Sequence, residues 1–421
     1  MYKQNNHAAN ETEEQNVLRE RRKYLSVCAM GMFFIGVIYG WSIFKAPLGE
    51  EFGWSQQQLS LCYTLSICCF CAGSLTAGLC NFRHVPVRYL LMASVIMVIT
   101  GYTITAGLQA HQIMLLYVSY SVLAAGGMGI AYNVLLATGN SWFPDKKGTS
   151  SGIMMMLFGF STMILGQIAS SMFVMPAFGW RRTYLLLGIS IAAVLLFCAF
   201  YLRCPDRETP LPAPKVKIKG KPAEYREYTV GETIRRPSYW LFYLYGTLGG
   251  CIGSTAINFS RELALTLGAQ AALATTLVGI LSICNGLGRI ISGLLYDWKG
   301  QRFTMTLVSI ANILAPSLML AALWQQSLLL GAATLCLSGF TYGAIPTISS
   351  AFIGTFYGSK DFALKYSLGN TKGILSSFAV TLASYLLAVS GSYQAPFTML
   401  LVCAVIEFDM SFTIRRPYMV Y

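Results

Sequence analysis

The sequence predicts an all-α membrane protein with twelve transmembrane helices in two six-helix halves. Of its 421 residues, 55% are hydrophobic and only 11% are charged, and the mean hydropathy is +0.55. Soluble domains rarely have this composition. Scanning the chain finds about twelve apolar runs of roughly 20 residues, each long enough to cross a ~30 Å hydrocarbon core. Because the runs are continuous rather than alternating, they indicate helices and not a β-barrel.

The apolar runs also predict the domain organisation. Their expected starts are Tyr24, Gln56, Tyr89, Met114, Ser150, Thr183, Ser238, Ala271, Phe303, Leu328, Tyr366 and Pro396. The only sizeable connection is rich in proline and lysine and is expected to be a linker, with no room for an enzymatic domain. In chain order we expect a cytoplasmic tail at 1–23, a six-helix half at 24–203, the linker at 204–237, a second half at 238–414 and a tail at 415–421.

Basic residues fall mainly on alternate connections between the predicted helices. By the positive-inside rule, this pattern places both termini in the cytoplasm. The exceptions on the other side are Lys45, Arg181, Arg182 and Arg261. The formal net charge of +13 is carried mostly by these short connections. Anionic lipid headgroups therefore explain it better than nucleic acid, which is not an expected partner.

Residue patterns that would indicate an enzyme or a metal protein are missing from the sequence. The twelve cysteines lie mostly in or at predicted spans, where they are expected to be small apolar fillers rather than disulfides. The three histidines are scattered, so neither a metal nor a cofactor is expected. No nucleophile stands with a base and no phosphate-cradling loop is found. A membrane enzyme is therefore disfavoured, whereas a carboxylate sensor stays open despite the short tails.

Two basic residues interrupt long apolar stretches that hold almost no other charge. They are Arg289, within 271–294, and Lys372, within 366–390. A charge near the bilayer centre costs roughly 2.5–3.5 kcal/mol on insertion scales, so it usually faces a polar cavity. Arginine can bind a carboxylate bidentately and lysine offers a compact second charge. The pair predicts an anionic cargo, although Arg289 could instead snorkel or brace Asp297, and Lys372 could pair with neighbouring helices.

A glycine-rich motif surrounds Arg289 and continues into the next connection. Its members are Gly288, Arg289, Gly293, Asp297, Gly300 and Arg302. The pattern resembles the cytoplasmic hinge motif of the major facilitator superfamily, between the eighth and ninth helices. Glycines let helices pack closely, and an Asp beside basic residues can form a latch that breaks as the halves rock. The alternative is a simple turn with solvated charges, and in the first half Arg83 stands where the superfamily usually has Asp.

Further segments resemble the oxalate:formate antiporter family, which is related to the monocarboxylate transporters. They are YGWSIF at Tyr39, GNSWFPDKKGTSSG at Gly139, IRRPSYW at Ile234 and FYGSKDFALKYS at Phe356. The resemblance implies a multi-pass exchanger of the cell inner (plasma) membrane, which we expect to be monomeric. It also implies an anion site built from Arg289 and Lys372. Lys372 stands one residue nearer to Tyr366 than in the family pattern, which is about 100° around a helix.

The same resemblance implies aromatic side chains around the cavity. Tyr39, Tyr132 and Tyr342 match aromatic cavity positions, and Phe158 matches a position that holds tyrosine in the oxalate carrier. Tyrosines can close a small cavity while donating a hydrogen bond. Each of these residues could instead be plain packing. The missing hydroxyl at Phe158 weakens the inference of oxalate itself.

Asn285 bears on how transport is coupled. It lies four residues before Arg289 and therefore shares its helix face. The related proton-coupled monocarboxylate transporters have an Asp at a similar place, and Asn cannot carry a proton. Glu407 and Asp409 in the last span are the remaining candidates for proton coupling.

The predicted function is a secondary transporter that moves small organic anions, such as oxalate, formate or lactate, by alternating access. Antiport is favoured over uniport because two unpaired buried cations would oppose closure of an empty site. A proton-coupled monocarboxylate symporter is the alternative. Membrane lipids and a small carboxylate are the expected partners.

Overall fold

The computed structural model describes residues 2–83, 85–143, 147–205, 211, 227–358 and 361–414, with side chains from residue 17 onward except at 82, 147–149 and 363. Within these residues the secondary structure is helical and contains no β-strand. The long helices are α1 (Val17–Phe52), α2 (Gln56–Asn81), α3 (Val87–Ala106), α4 (Ile113–Ser141), α5 (Ser150–Phe173), α6 (Gly179–Tyr201), α7 (Pro237–Thr266), α8 (Ala271–Lys299), α9 (Gln301–Gln325), α10 (Leu328–Tyr357), α11 (Leu364–Ser390) and α12 (Gln394–Thr413).

The twelve-helix prediction is confirmed, with one helix less apolar than the rest. Eleven of the helices are long and apolar enough to cross a membrane. The exception is α7, which has 30 residues but is rich in buried Gly, Ser and Thr. These small polar residues are sheltered inside the bundle and lower its hydropathy. Its sequence is therefore that of an interior helix packed on most sides.

The first helix differs most from the prediction. Helical structure extends from α1 back to Tyr2 and runs without a break to Ile35. Where it is described, the expected tail at 1–23 is therefore continuous with the first span. A 3-10 turn, Gly36–Gly40, then interrupts α1. A Cβ built on Gly36 would lie 2.0 Å from the backbone oxygen of Phe158 on α5. The turn therefore lies where α1 and α5 touch, and it carries Tyr39.

The two halves meet mainly along three helix pairs, α1 with α7, α2 with α11 and α5 with α8. Glycine makes the closest approaches possible. A Cβ on Gly159 would lie 3.0 Å from Gly286 across the α5–α8 contact. Within the second half, a Cβ on Gly343 would lie 1.9 Å from the backbone oxygen of Asn285. Small residues thus bring α8 against both α5 and α10.

The bundle has two ends, which we call the linker side and the far side. The linker side holds the connection 202–236, of which a short helix, Val230–Ile234, is described. The far side holds the connections 107–112, 174–178 and 267–270. Most of the predicted linker and the whole predicted tail at 415–421 lie outside the described residues.

Ion pairs account for two of the basic residues on the far side. Lys45 is only 1% exposed, and its Nζ donates to the Asn258 carbonyl at 2.7 Å and pairs with Glu262 at 3.1 Å. Arg181 pairs with Glu51 at 2.9 Å. These exceptions to the positive-inside pattern are therefore held by specific partners, and Lys45 joins α1 of one half to α7 of the other.

Candidate functional site

A small cavity lies between the two halves. Its volume is about 60 Å³, and helices α1, α2, α7, α10 and α11 form its wall. Most of the lining is apolar or glycine. The polar lining side chains are Tyr39, Cys71, Tyr342, Asn370, Lys372 and Ser376. The only charged residue of the lining is thus a cation.

Lys372 reaches the cavity from a break in α11. The helix stops at Asn370, turns at Thr371 and restarts at Lys372. The lysine is 5% exposed, and its Nζ donates to Ser349 Oγ at 2.9 Å and to the Gly369 carbonyl at 3.2 Å. Within the described part of the chain it has no carboxylate partner. The backbone of Thr371 stays in the right-handed helical region, at φ −60° and ψ −14°, so the interruption is a local tightening of the helix.

The stem of Lys372 lies against α7 at a glycine. A Cβ on Gly246 would be 2.6 Å from Cδ and 2.7 Å from Cε of the lysine. One turn further along α7, a Cβ on Gly250 would be 2.9 Å from Ser376. The face of α7 that borders the cavity therefore has no room for side chains. This space lets a long cation lie along the wall.

Arg289 lies deeper in α8 than the sequence indicated. The helix ends at Lys299 rather than near 294, so Arg289 is about 15 Å from its end. The side chain is 1% exposed. Nη1 donates to the Met155 carbonyl on α5 at 2.7 Å, and Nε has no partner. Arg289 makes no ion pair with Asp297 or with any other acid among the residues described, so neither snorkelling nor bracing is observed.

Aromatic rings surround the guanidinium of Arg289. Its central carbon lies 5.3 Å from the ring centroid of Phe158 and 6.0 Å from that of Tyr39. Tyr39 also contacts the ring of Tyr342 at 5.6 Å. On the other side, the Tyr132 ring lies 5.3 Å from that of Phe158. The structure thus brings six of the seven predicted binding residues into one connected region.

The cavity wall holds only some of these residues. Tyr39, Tyr342 and Lys372 line the space directly. Arg289, Tyr132 and Phe158 do not line it and contact Tyr39 or one another instead. Tyr39 therefore lies between the space beside Lys372 and the guanidinium of Arg289.

Asn285 is the seventh predicted site residue and lies at the α5–α8 contact, one turn before Arg289. It is 1% exposed, and neither its Oδ1 nor its Nδ2 has a hydrogen-bond partner. It borders α5, because a Cβ on Gly159 would be 3.1 Å from its Oδ1. Buried polar groups without partners are costly. Together with Arg289 Nε, this amide leaves unsatisfied hydrogen-bonding groups at the α5–α8 contact.

The predicted hinge motif forms its turn without forming its latch. Gly300 has φ +83 and joins α8 to α9, a backbone conformation that favours glycine. Asp297 is exposed and makes no ion pair with the residues described. The Arg302 guanidinium instead lies 5.9 Å from the Phe412 ring. Gly293 is close to α10, since a Cβ there would be 3.2 Å from the Thr347 side chain.

Sequence reasoning missed the hydrogen-bond partners of Lys372. Ser349 is a polar residue within a long apolar helix, and that contrast is a signal that could have found it. The Gly369 carbonyl belongs to the backbone, and its exposure depends on the break in α11, so no residue type marks it. Ser376 could have been found from its spacing of four residues after Lys372, whereas Asn370, two residues before it, could not.

Twelve helices in two six-helix halves with a cavity between them are the architecture of a membrane transporter. The chain belongs to the Major Facilitator Superfamily, since residues 25–371 match the family. It is 26% identical over 373 residues to the oxalate:formate antiporter of Oxalobacter formigenes, which covers 86% of this chain and 84% of that protein.

Solved transporter structures share the fold. A bacterial homolog of the human lysosomal transporter Spinster, in an inward-facing and unoccupied conformation, superposes with a TM-score of 0.67 at 16% identity, covering 94% of this chain and 96% of that one. The E. coli fucose:proton symporter gives a TM-score of 0.62 at 13% identity, covering 93% and 98%. These similarities confirm the predicted fold class.

Proposed function

We propose that the protein is a secondary transporter that exchanges small organic anions, with a carboxylate bound between Lys372 and Arg289. The observation that carries the proposal is the burial of two cations at the junction of the halves without an acidic partner among the described residues. Removing an unpaired charge from water costs on the order of several kcal/mol unless a counter-ion is supplied. A bound carboxylate would supply it.

The dimensions of the cavity support a small cargo. Its volume of about 60 Å³ corresponds to roughly four to six water-sized groups at 10–15 Å³ each. Oxalate and formate are within that range. Lys372 can turn from Ser349 and Gly369 to a carboxylate in the cavity, because a charge-assisted bond is stronger than a bond to a neutral group.

Arg289 completes the site when Tyr39 moves. The guanidinium has an unpartnered Nε and a single hydrogen bond to a backbone carbonyl, so most of its donors are available. Tyr39 lies between this group and the space beside Lys372. A rotation of the Tyr39 side chain would join the two cations around one dianion. The similarity to the oxalate:formate antiporter supports a dicarboxylate as one of the exchanged anions.

Exchange follows from the charge balance of the closed state. Closing the halves around an empty site leaves two cations buried and unpaired, whereas a bound dianion neutralises them. The carrier therefore crosses between its two open states much faster when it is loaded. We expect the protein to reside in the cell inner (plasma) membrane as a monomer. We expect both termini to be cytoplasmic, because the basic connections lie on the linker side.

Flux through liposomes tests this function. Purified protein is reconstituted, the vesicles are loaded with labelled oxalate, and efflux is followed with oxalate, formate, lactate or chloride outside. We expect rapid efflux only when a small carboxylate is present outside. Arg289→Gln and Lys372→Gln should each abolish it, whereas Lys299→Gln, an exposed cation at the end of the same helix as Arg289, should not.

Two results would contradict the proposal. One is exchange that survives in the Arg289→Gln, Lys372→Gln double variant. The other is an absence of carboxylate flux in wild-type protein that is folded and inserted. Efflux without any external anion would instead indicate uniport and remove the exchange part of the proposal.

A further inference from the structure

A carboxyl group lies buried in the second half, away from the cavity. Glu407 of α12 is 0% exposed. Asn312 of α9 donates from Nδ2 to both of its oxygens, at 3.1 and 2.8 Å. Gly249 of α7 makes the space for it, since a Cβ there would be 2.7 Å from Oε1 of the glutamate. Asp409 on the same helix is exposed, so only one of the two acids of α12 is enclosed.

No cation faces Glu407 within the described residues. On α7 the titratable neighbours are Tyr245 and Cys251, and on its own helix the neighbour is Cys403. From α9 only the neutral Asn312 and Ser309 reach it, and α10 contributes Ile345 beside Gly249. On α11, Lys372 lies at Gly246 and uses its donors on Ser349 and Gly369.

The surroundings of Glu407 suit a carboxyl that takes up and loses a proton. A buried carboxylate without a cation is much more costly than a hydrogen-bonded neutral carboxyl. Asn312 can serve both forms, because its amide donates to a carboxylate from Nδ2 and accepts from a protonated carboxyl through Oδ1. The Oδ1 atom of Asn312 has no hydrogen-bond partner. Rotating the Asn312 amide by half a turn would therefore break no hydrogen bond made by Oδ1.

Polar side chains lead from Glu407 toward the linker side. Ser411 follows one turn later on α12 and is also 0% exposed. Its hydroxyl lies 3.3 Å from that of Thr306, which stands near the start of α9. Beyond them, Arg302 lies over Phe412 at the end of the bundle. The hydroxyl pair places polar groups between the carboxyl and that end, which makes the linker side the expected side of proton entry.

Helix α7 separates Glu407 from the cavity. Gly246 and Gly250 of α7 face the cavity, while Gly249 faces Glu407. The same helix carries the carbonyl of Asn258 and the carboxylate of Glu262 that hold Lys45 of the first half. A change in charge at Glu407 thus acts on the helix that both lines the cavity and closes the far side.

We propose that Glu407 is a proton-binding site of the carrier, filled from the linker side, and that its occupancy sets the rate at which α7 rearranges during transport. The uptake step is the transfer of one proton from water to a carboxylate oxygen, and release is the reverse. The binding part stands independently, whereas the rate part rests on the proposed transport function.

Infrared difference spectroscopy tests proton binding without transport. Spectra of the purified protein are recorded across a pH titration in water and in deuterium oxide. We expect a carbonyl band of a buried protonated carboxyl that titrates in wild type, is lost in Glu407→Gln and is kept in Asp409→Asn. If Glu407→Gln does not fold, Glu407→Asp should shift the frequency of the same band. A band unchanged by every substitution of Glu407 would overturn the inference.

Exchange of labelled oxalate at different pH tests the effect on rate. In wild type the rate of oxalate exchange should change by up to about tenfold per pH unit on the alkaline side of the Glu407 titration. Tenfold per pH unit is the limit for a single proton site. Glu407→Gln, which mimics the neutral carboxyl, should be insensitive to pH, and Asp409→Asn should follow wild type. The same profile in wild type and Glu407→Gln would overturn the rate part. A titrating band without any oxalate exchange would contradict the proposed function and leave the proton site standing.

Discussion

Lys372 depends on neighbours that have no charge of their own. Gly246 leaves the space in which its stem lies, and Ser349 accepts a hydrogen bond from its Nζ. The cation itself was predictable from the sequence, because a charge inside an apolar run is conspicuous. Its orientation was not, because one residue of irregular helix decides which face it occupies.

Gly246→Ala should weaken anion binding more than it weakens the fold. The added Cβ would meet only the flexible stem of Lys372, so the lysine can move aside while the helices stay packed. Displacing its Nζ from the cavity removes a charge-assisted hydrogen bond worth about 1.5–3 kcal/mol, so we expect the dissociation constant for oxalate to rise about tenfold or more. Calorimetric titration of the purified protein measures it.

Two other glycines provide controls for this substitution. Gly354→Ala places its Cβ in open space and should change neither affinity nor melting temperature. Gly343→Ala meets the Asn285 backbone oxygen at 1.9 Å and should destabilise the protein strongly. Unchanged affinity in Gly246→Ala would show that Lys372 does not hold the anion from the position described.

At the scale of helices, the junction of α1 and α7 is the clearest contact that must break for the far side to open. Lys45 bonds both the Asn258 carbonyl and the Glu262 carboxylate across the two halves. One turn before it on the same face, the Ser42 hydroxyl lies 3.0 Å from that of Ser260. These contacts are buried, so they are little screened by salt. Opening on that side has to separate them together.

Lys45→Met should favour opening on the far side. Removing one partner of a fully buried ion pair destabilises a protein by about 3–5 kcal/mol. Because Glu262 is 24% exposed, we expect a loss of stability of about 3 kcal/mol or less. Hydrogen exchange followed by mass spectrometry should be faster than wild type in peptides covering 41–52 and 254–266. Peptides from α9 should be unchanged, and equal exchange throughout would show that the pair does not hold the far side closed.

The positions of the helices were largely predictable, but their interruptions were not. Eleven of the twelve predicted starts lie within four residues of the observed ones, and the twelfth, Tyr24, lies seven residues after the observed start at Val17. Apolar length sets these positions, and it is written in the sequence. The 3-10 turn at Gly36–Gly40 and the π-helical segment Tyr117–Ala125 are different. They depend on which helix lies opposite, a fact that one sequence read alone does not contain.

At the scale of the whole molecule, contacts join the two halves on both sides of a small central space. Lys45 joins the halves on the far side. Toward the linker side, the hydroxyls of Tyr132 and Tyr366 lie 3.4 Å apart across the halves, and Arg289 bonds the Met155 carbonyl. The sequence predicted the two cations and the rocking halves. It did not indicate the Glu407–Asn312 pair, since residues 95 apart meet only through the packing of α9 and α12.

The volume of the closed cavity predicts an upper limit on cargo size. Because the cavity holds only about 60 Å³, each methylene added to a two-carbon dicarboxylate is expected to push the wall outward. Exchange rates in liposomes should therefore fall in the order oxalate, malonate, succinate, and citrate should not be exchanged. Succinate exchanged as fast as oxalate would show that this closed space does not limit the cargo.

Ligand-dependent thermal stability tests the central claim most directly, namely that Arg289 and Lys372 together hold a small carboxylate. A ligand at about 100 times its dissociation constant stabilises the folded state by about 2.7 kcal/mol, so oxalate or another small carboxylate should raise the melting temperature of the wild type. Arg289→Gln and Lys372→Gln should each lose that rise, and Lys299→Gln should keep it. No rise with any carboxylate in the wild type, or an equal rise in all four proteins, would contradict the account.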